Sequence, residues 1–280
     1  MQPEPGDPGI EVDREDVRRA AGEVGIARGD TVMFHSSLSS MGTVVGGPDT
    51  VIDGFLEAVG SEGTVAAPTL WWHQTDPPLR MEDWDPDTSP SYPGLITEHF
   101  RRRPDSLRSN NPTHSVSAIG ARAVELTRDH GATGRRPCVF GDAAFARASP
   151  WERLYQWNAA YCFIGVDFTV NTMSHYIETV LVEAALREAQ GPLRRKLRAR
   201  LQARHAEGVW PWYDRTGMED CLTDRGLVRR GRIGSATLRC IRARDMVDHT
   251  LSILRAQPAH WFQANFQAWL AEAEGKADAP

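Results

Sequence analysis

Short apolar or β-branched runs alternate with helix-periodic segments from Asp13 to Val182, and that alternation most constrains the fold. The strand-like runs are residues 31–34, 63–68 and 161–166. Asp13 is placed to cap a helix that carries Val17, Ala20, Ala21 and Val24 at helical spacing and stops at Gly25. Pro48 suits the first position of a second helix, with Val51, Ile52, Phe55, Leu56 and Val59 repeating to Gly60. Residues 95–103 and 121–130 read as two more, and Ser149-Pro150-Trp151-Glu152 is a capping box opening a fifth. The spacing predicts an α/β domain: a central mixed sheet, helices on both faces, and long loops forming a cleft.

Past that core the pattern changes. Residues 191–208 form a very basic helical stretch with Leu193, Leu197 and Leu201 in register, and residues 210–226 read as loop. A strand over 234–241 and a helix over 244–254 close the domain. A single domain is expected over 13–270, with a basic helical and loop insertion at 187–232. Disordered tails are expected at 1–12 and 271–280. The first residues are Pro/Gly-rich and acidic with no apolar stretch, unlike a signal peptide. No run approaches the ~18 apolar residues of a membrane span.

Charge and cysteine usage narrow the class. The chain has a net charge of −5, yet residues 187–244 carry 15 basic against 6 acidic residues. An acidic bulk suits a cationic ligand. The net acidity and the lack of a nucleic-acid module argue against nucleic acid as a partner. Cys138, Cys162, Cys221 and Cys240 form no C-x-x-C pair, so a reduced, cytoplasmic enzyme is expected, without a structural zinc.

Three stretches carry candidate chemistry. In the first, the apolar run 161–166 feeds Asn171-Thr172-Met173-Ser174-His175-Tyr176-Ile177-Glu178. On a helix, His175 and Glu178 share a face and can touch, opposite the Met173, Ile177, Val180 and Leu181 stripe. A strand end feeding a helix start is where α/β folds place ligands, and a carboxylate-held His is a tunable proton acceptor. The alternative is a solvated surface pair. In the second, His35-Ser36-Ser37-Leu38-Ser39-Ser40-Met41-Gly42 with Gly46, Gly47 and Pro48 sets hydroxyls and glycines between a strand and a helix. Such a loop can cradle a phosphate or carbonyl oxygen, although it lacks the P-loop lysine; a polar connector is the competing account. In the third, residues 69–93 form a long aromatic loop with Trp71, Trp72, His73 and Trp84 and the acids Asp76, Glu82, Asp83, Asp85 and Asp87. It reads as a cation-binding wall or as a solvated loop.

Taken in order, several segments resemble the aminoglycoside 3-N-acetyltransferases, an antibiotic N-acetyltransferase family distinct from the GNAT fold. They are residues 35–42 with Gly46-Gly47-Pro48, Gly63-Thr64 through Pro68-Thr69, and Arg108-Ser109 through Pro112-Thr113-His114-Ser115-Val116. Ser149-Pro150, Gly165-Val166 through Asn171-Thr172, His175 with Glu178, and Gly231 to Asp248 complete the set. The likeness spans roughly residues 13–255. Two departures stand out: Asn111-Pro112 where the family has His-Pro, and Val166-Asp167-Phe168-Thr169-Val170 in place of a Gly-His-Asp-Ser type segment.

The resemblance implies acetyl-CoA-dependent N-acetylation of the 3-amino group of an aminoglycoside, giving antibiotic resistance, without a metal. It implies His175 as general base and Glu178 as its partner. CoA contacts are implied at His35, Ser36, Ser37, Ser40, Met41, Gly42, Gly46, Gly47, Arg108, Ser109 and Ser115. Acceptor contacts are expected at Asp76, Asp83, Asp167, Asn171 and Thr172, in an acceptor cleft suited to a small polycationic amine. A cytoplasmic monomer or homodimer is expected, with no membrane or nucleic-acid partner. Two alternatives stay open: the same reaction on another amine, such as a biosynthetic intermediate, and a metal-dependent hydrolase using His35, His73, His114 or His175 with Glu178.

Overall fold

The structure is a computed structural model that describes residues 2–202 and 209–275. Among these residues the strands are, in order, β1 (Glu11–Val12), β2 (Thr31–Ser36), β3 (Thr43–Val44), β4 (Thr64–Pro68), β5 (Leu107–Arg108), β6 (Val116–Gly120), β7 (Ala160–Ile164), β8 (Arg229–Ile233) and β9 (Ala236–Arg242). Seven of them form one sheet in the order β5-β6-β4-β2-β7-β9-β8. The middle three, β4, β2 and β7, run parallel, and an antiparallel pair flanks them on each side. β1 and β3 pair separately.

The period of two along these strands divides the core. Val32, Phe34, Val65, Cys162 and Leu238 point to the face covered by α1 (Arg14–Glu23), α2 (Pro48–Val59) and α3 (Leu95–Arg102). Met33, Ala66, Tyr161, Phe163 and Ile241 point to the other. That second face is covered by α4 (Ala123–Thr127), α5 (Pro150–Gln156) and α6 (Met173–Glu188), and by helices from the C-terminal third. With both faces covered, the parallel strands are buried throughout, which is why they read as continuous apolar runs.

β2 is the switch point of the sheet, because the chain leaves it through α2 to β4 on one side while β7 joins on the other. A crevice opens at the carboxyl ends of strands at such a point. Here it is bounded by His35 and Ser36 of β2, Pro68 of β4 and Val166 just beyond β7. Gly165 sits at that edge with φ of +63°, and a Cβ there would fall 2.3 Å from Ser40 Cβ.

Four expectations are corrected. Residues 4–12 are docked: Glu4 N–H donates to Gly165 O, and its carboxylate accepts from Thr237 N–H and Arg239 Nη1. Residues 210–226 contain a helix, α8 (Arg215–Asp224), capped by Asp214 accepting from Thr216 N–H; α7 (Gly191–Gln202) precedes it, and Gly217 had hidden it. β8 was missed because Arg229, Arg230 and Arg232 keep a sheet edge polar. The last helix runs to Ala273, beyond the expected start of the C-terminal tail. Residues 203–208 of the basic stretch, 276–280 of that tail and Met1 lie outside the described residues.

Candidate active site

Asn171 sets the entry to α6. Its Oδ1 accepts from Met173 N–H and its C=O accepts from Ser174 Oγ. The next turn presents His175 and Glu178, whose Nδ1 and Oε2 are 2.9 Å apart. The side chain of Glu178 is 0% exposed and that of His175 15%. The pair does not lie on a solvated face, because the chain after residue 208 folds back over it. Trp210 donates its indole N–H to Glu178 Oε2 at 2.8 Å. Phe140 and Trp212 meet the His175 ring edge-on at 4.6 and 5.6 Å. α6 is thus packed on both sides.

Arg215, at the start of α8, completes the cluster. Its Nη1 donates to Thr169 O, and Nη2 lies 3.4 and 3.3 Å from the two ring nitrogens of His175. A guanidinium N–H can only donate, so Arg215 is a donor to the imidazole ring. Glu178 Oε1 is 3.8 Å from Nη2, beyond hydrogen-bond reach, and is buried without a hydrogen-bond partner among the described residues.

These contacts fix a protonation pattern. Burial, then the Arg215 charge, holds the His175 imidazole well below its usual 6.5. Burial pushes Glu178 up to about 8, against the opposing pull of Arg215 and the Trp210 N–H. An indole N–H can only donate, so Glu178 Oε2 accepts from it. When Glu178 is ionised, the same oxygen accepts from Nδ1–H, and Nε2 is the nitrogen that faces Arg215 Nη2 at 3.3 Å.

His175 forms part of the wall of a cavity of about 520 Å³ at the switch-point crevice. Ser36, His114, Thr172 and Arg215 are also on that wall, and Trp72, His73 and Tyr92 form its aromatic side. Ser36 Oγ and His114 Nδ1 are buried without a hydrogen-bond partner among the described residues. His35 is bonded to Tyr161 OH at 2.8 Å, and burial brings it down to about 3. Among the described residues no three His, Cys, Asp or Glu side chains group as metal ligands, and no helix is long and apolar enough to cross a membrane.

The other candidates lie in different places. Ser37 and its neighbour Ser39 bond each other on the outer side of the loop. Ser40 is buried against Glu4 O and Gly165 O, Met41 is core, and Gly42 is packed against Ile10 O and Asp7 O. Gly46 and Gly47 lead into α2 with positive φ, away from the cavity wall. Arg108 is a brace: it donates to the carbonyls of Thr69, Pro86 and Ser89 and stacks on Trp84. Ser109 bonds His130, and Ser115 bonds Thr69 O. Asp83 pairs with Arg80 on the outside, Asp76 is exposed, and Asp167 caps the turn before α6. Thr172 and His175 meet at the cavity; Asp76, Asp83, Asp167 and Asn171 are not on its wall.

Residues 33–255 match the family model described as aminoglycoside 3-N-acetyltransferase. The chain belongs to that family. An aminoglycoside N(3)-acetyltransferase VII from Streptomyces paromomycinus is 30% identical over 276 residues, covering 85% of this chain and 89% of that protein. An aminoglycoside N(3)-acetyltransferase III from Acinetobacter baumannii is 28% identical over 232 residues, covering 76% and 75%. Among solved structures, an aminoglycoside acetyltransferase in binary complex with CoASH shares the fold, with a TM-score of 0.67 and 20% identity over 91% of this chain and 98% of the other. The sequence pointed to His175 and Glu178 but missed Trp210 and Arg215, although the Asp214-Arg215-Thr216 cap signal was readable.

Proposed function

We propose that this protein transfers an acetyl group from acetyl-CoA to an amine of an aminoglycoside-like acceptor, with His175 as the general base. The observation that carries the reading is His175 at the wall of the cavity, its Nδ1 2.9 Å from a Trp210-held Glu178 and its Nε2 facing Arg215 Nη2, a contact that an incoming amine would replace.

The acceptor nitrogen attacks the thioester carbonyl as Nε2 takes its proton. The Glu178 carboxylate stabilises the imidazolium that forms. The C–N bond forms, the C–S bond breaks, and the imidazolium returns the proton to the departing thiolate. Ser36 Oγ and His114 Nδ1 have no hydrogen-bond partner among the described residues, and they suit the thioester oxygen or an amide of the pantetheine arm. His35 and Ser36, at the start of the loop, suit the rest of the cofactor arm at the cavity, and Thr172 suits the acceptor. Solved neighbours of this fold are complexes with a gentamicin and with apramycin, which supports an amino-sugar acceptor.

The test is CoA release with acetyl-CoA against a panel of amino-sugar acceptors. His175→Ala should lower the chemical step by about 10²–10⁴-fold while acetyl-CoA still binds. Glu178→Gln should act less severely, and the double variant should be little worse than His175→Ala. A folded His175→Ala protein with near-normal turnover would end this mechanism.

A further inference from the structure

Two of the four cysteines face each other across the sheet. Cys162 of β7 and Cys240 of β9 are register partners on antiparallel strands. Backbone bonds fix which kind of pair they form. Gly165 N–H donates to Thr237 O and Ala243 N–H donates to Ala159 O, so Gly165–Thr237 and Ala159–Ala243 are hydrogen-bonded pairs. Each lies three steps along the ladder from Cys162–Cys240, and bonded and non-bonded pairs alternate, so the cysteines occupy a non-bonded pair. In such a pair the Cα atoms approach to about 4.5 Å and the side chains are at their closest. That separation falls within the ~4.4–6.8 Å that a disulfide spans. Both side chains enter the core cluster beneath α1 and α2, on the sheet face opposite the one that α6 covers. Cys138 and Cys221 pack against the other cluster.

We infer that Cys162 and Cys240 form a peroxide-sensitive thiol pair that closes into a reversible disulfide, locking β7 to β9. The two sulfurs are unequal. The Cys162 thiol donates to the Cys240 sulfur and draws it below the usual thiol range; burial opposes this, and Arg242 and Arg229 add to the pull. Cys162 is pushed up by the same bond and by its burial. Cys240 is 4% exposed beside the edge strand β8, and Cys162 is 0% exposed. Cys240 is therefore the sulfur that meets the oxidant. Its thiolate attacks one peroxide oxygen and the O–O bond breaks. A sulfenic acid forms, and the departing hydroxide takes up the proton that Cys240 gave. The Cys162 sulfur then attacks the sulfenic sulfur, the S–O bond breaks, and the Cys162 proton leaves with that hydroxide as water. Two thiols are oxidised and one peroxide is reduced to two waters. β7 leads through Gly165 into the turn before α6, so the lock acts on the strand that aims the base, and neither cysteine is on the cavity wall.

The test treats the purified full chain with hydrogen peroxide, alkylates it in urea with N-ethylmaleimide, and identifies the peptides by mass spectrometry. The expected product is a Cys162 peptide joined to a Cys240 peptide, lighter than the reduced pair by two hydrogens, with no maleimide on either cysteine. Dithiothreitol should restore maleimide labelling of both. The link closes a long loop of chain, so the peroxide-treated protein should unfold at a higher urea midpoint than the reduced protein. Cys162→Ala and Cys240→Ala should each abolish the link and that rise. The double variant Cys138→Ala with Cys221→Ala should keep both. Maleimide on Cys162 and Cys240 after peroxide overturns the inference, as does Cys240 taken to sulfinic acid without a link. A link that involves Cys138 or Cys221, or an unchanged midpoint in the linked protein, also overturns it.

Discussion

Replacing Trp210 by Phe removes one N–H from the catalytic cluster and leaves an aromatic ring in place. That N–H is one of two donors on Glu178 Oε2, at 2.8 Å. A hydrogen bond to a charged group is worth about 1.5–3 kcal/mol. One pKa unit corresponds to about 1.4 kcal/mol, so the acidity of Glu178 should move up by about 1–2 units from its already raised value. The sign follows from the active form. Glu178 must be ionised to stabilise the imidazolium, so turnover should rise with pH through about 8 in the unaltered protein. In Trp210→Phe that limb should shift alkaline by the same ~1–2 units, giving about 10–100-fold slower turnover near neutrality and recovery at high pH. The assay is CoA release as a function of pH with one acceptor, so that the titration of the amine is common to both profiles. Superimposed profiles, or an equal loss at every pH, would refute the reasoning.

Two further expectations concern the fold around the site. Arg136 is 4% exposed and ties Glu152 at 2.6 Å and Glu183 at 2.8 Å, while also donating to Phe145 O. Arg136→Met strands the buried Glu152 carboxylate and should cost about 3–5 kcal/mol in urea unfolding; a loss under about 1 kcal/mol would make the network dispensable. Gly165→Ala places a Cβ against Ser40 at a left-handed φ, so it should destabilise the protein by about 1–3 kcal/mol and loosen the β2 exit loop. Unchanged denaturation and unchanged KM for acetyl-CoA would count against that packing.

Local chemistry in the sequence was readable where it acts over short distances. The α/β alternation came from periods of 2 and 3.6, and the His175–Glu178 pair came from a three-residue spacing on one helix. The residues that govern this pair could not be read in the same way. Trp210 and Arg215 reach it from a later segment, and nothing in the spacing links them to α6. Arg108 and Ser115 illustrate the converse: a motif can be kept for a structural reason, here bracing Thr69 and Ser89. Acidity along a chain does not say which way the loop turns, and Asp76 and Asp83 lie on its exposed side. The docked residues near Glu4 were hidden by a composition typical of tails, since Gly165, Thr237 and Arg239, which hold Glu4, are remote in sequence.

Glu178 Oε1, buried 3.8 Å from Arg215 Nη2 with no hydrogen-bond partner among the described residues, gives this protein a conflict of interest between persistence and work. Burial raises the carboxyl above its free value of 4.5, so each proton lost between that pH and about 8 is lost at the expense of the fold. The folded state is therefore strained most in the pH range where the base is best supported. Screening for heat resistance alone would favour a neutral replacement at position 178 that still accepts from Trp210 and His175, such as glutamine, because it removes the buried charge and keeps their partner. Such a variant would gain stability and lose turnover, so any effort to harden this enzyme must score turnover in the same round.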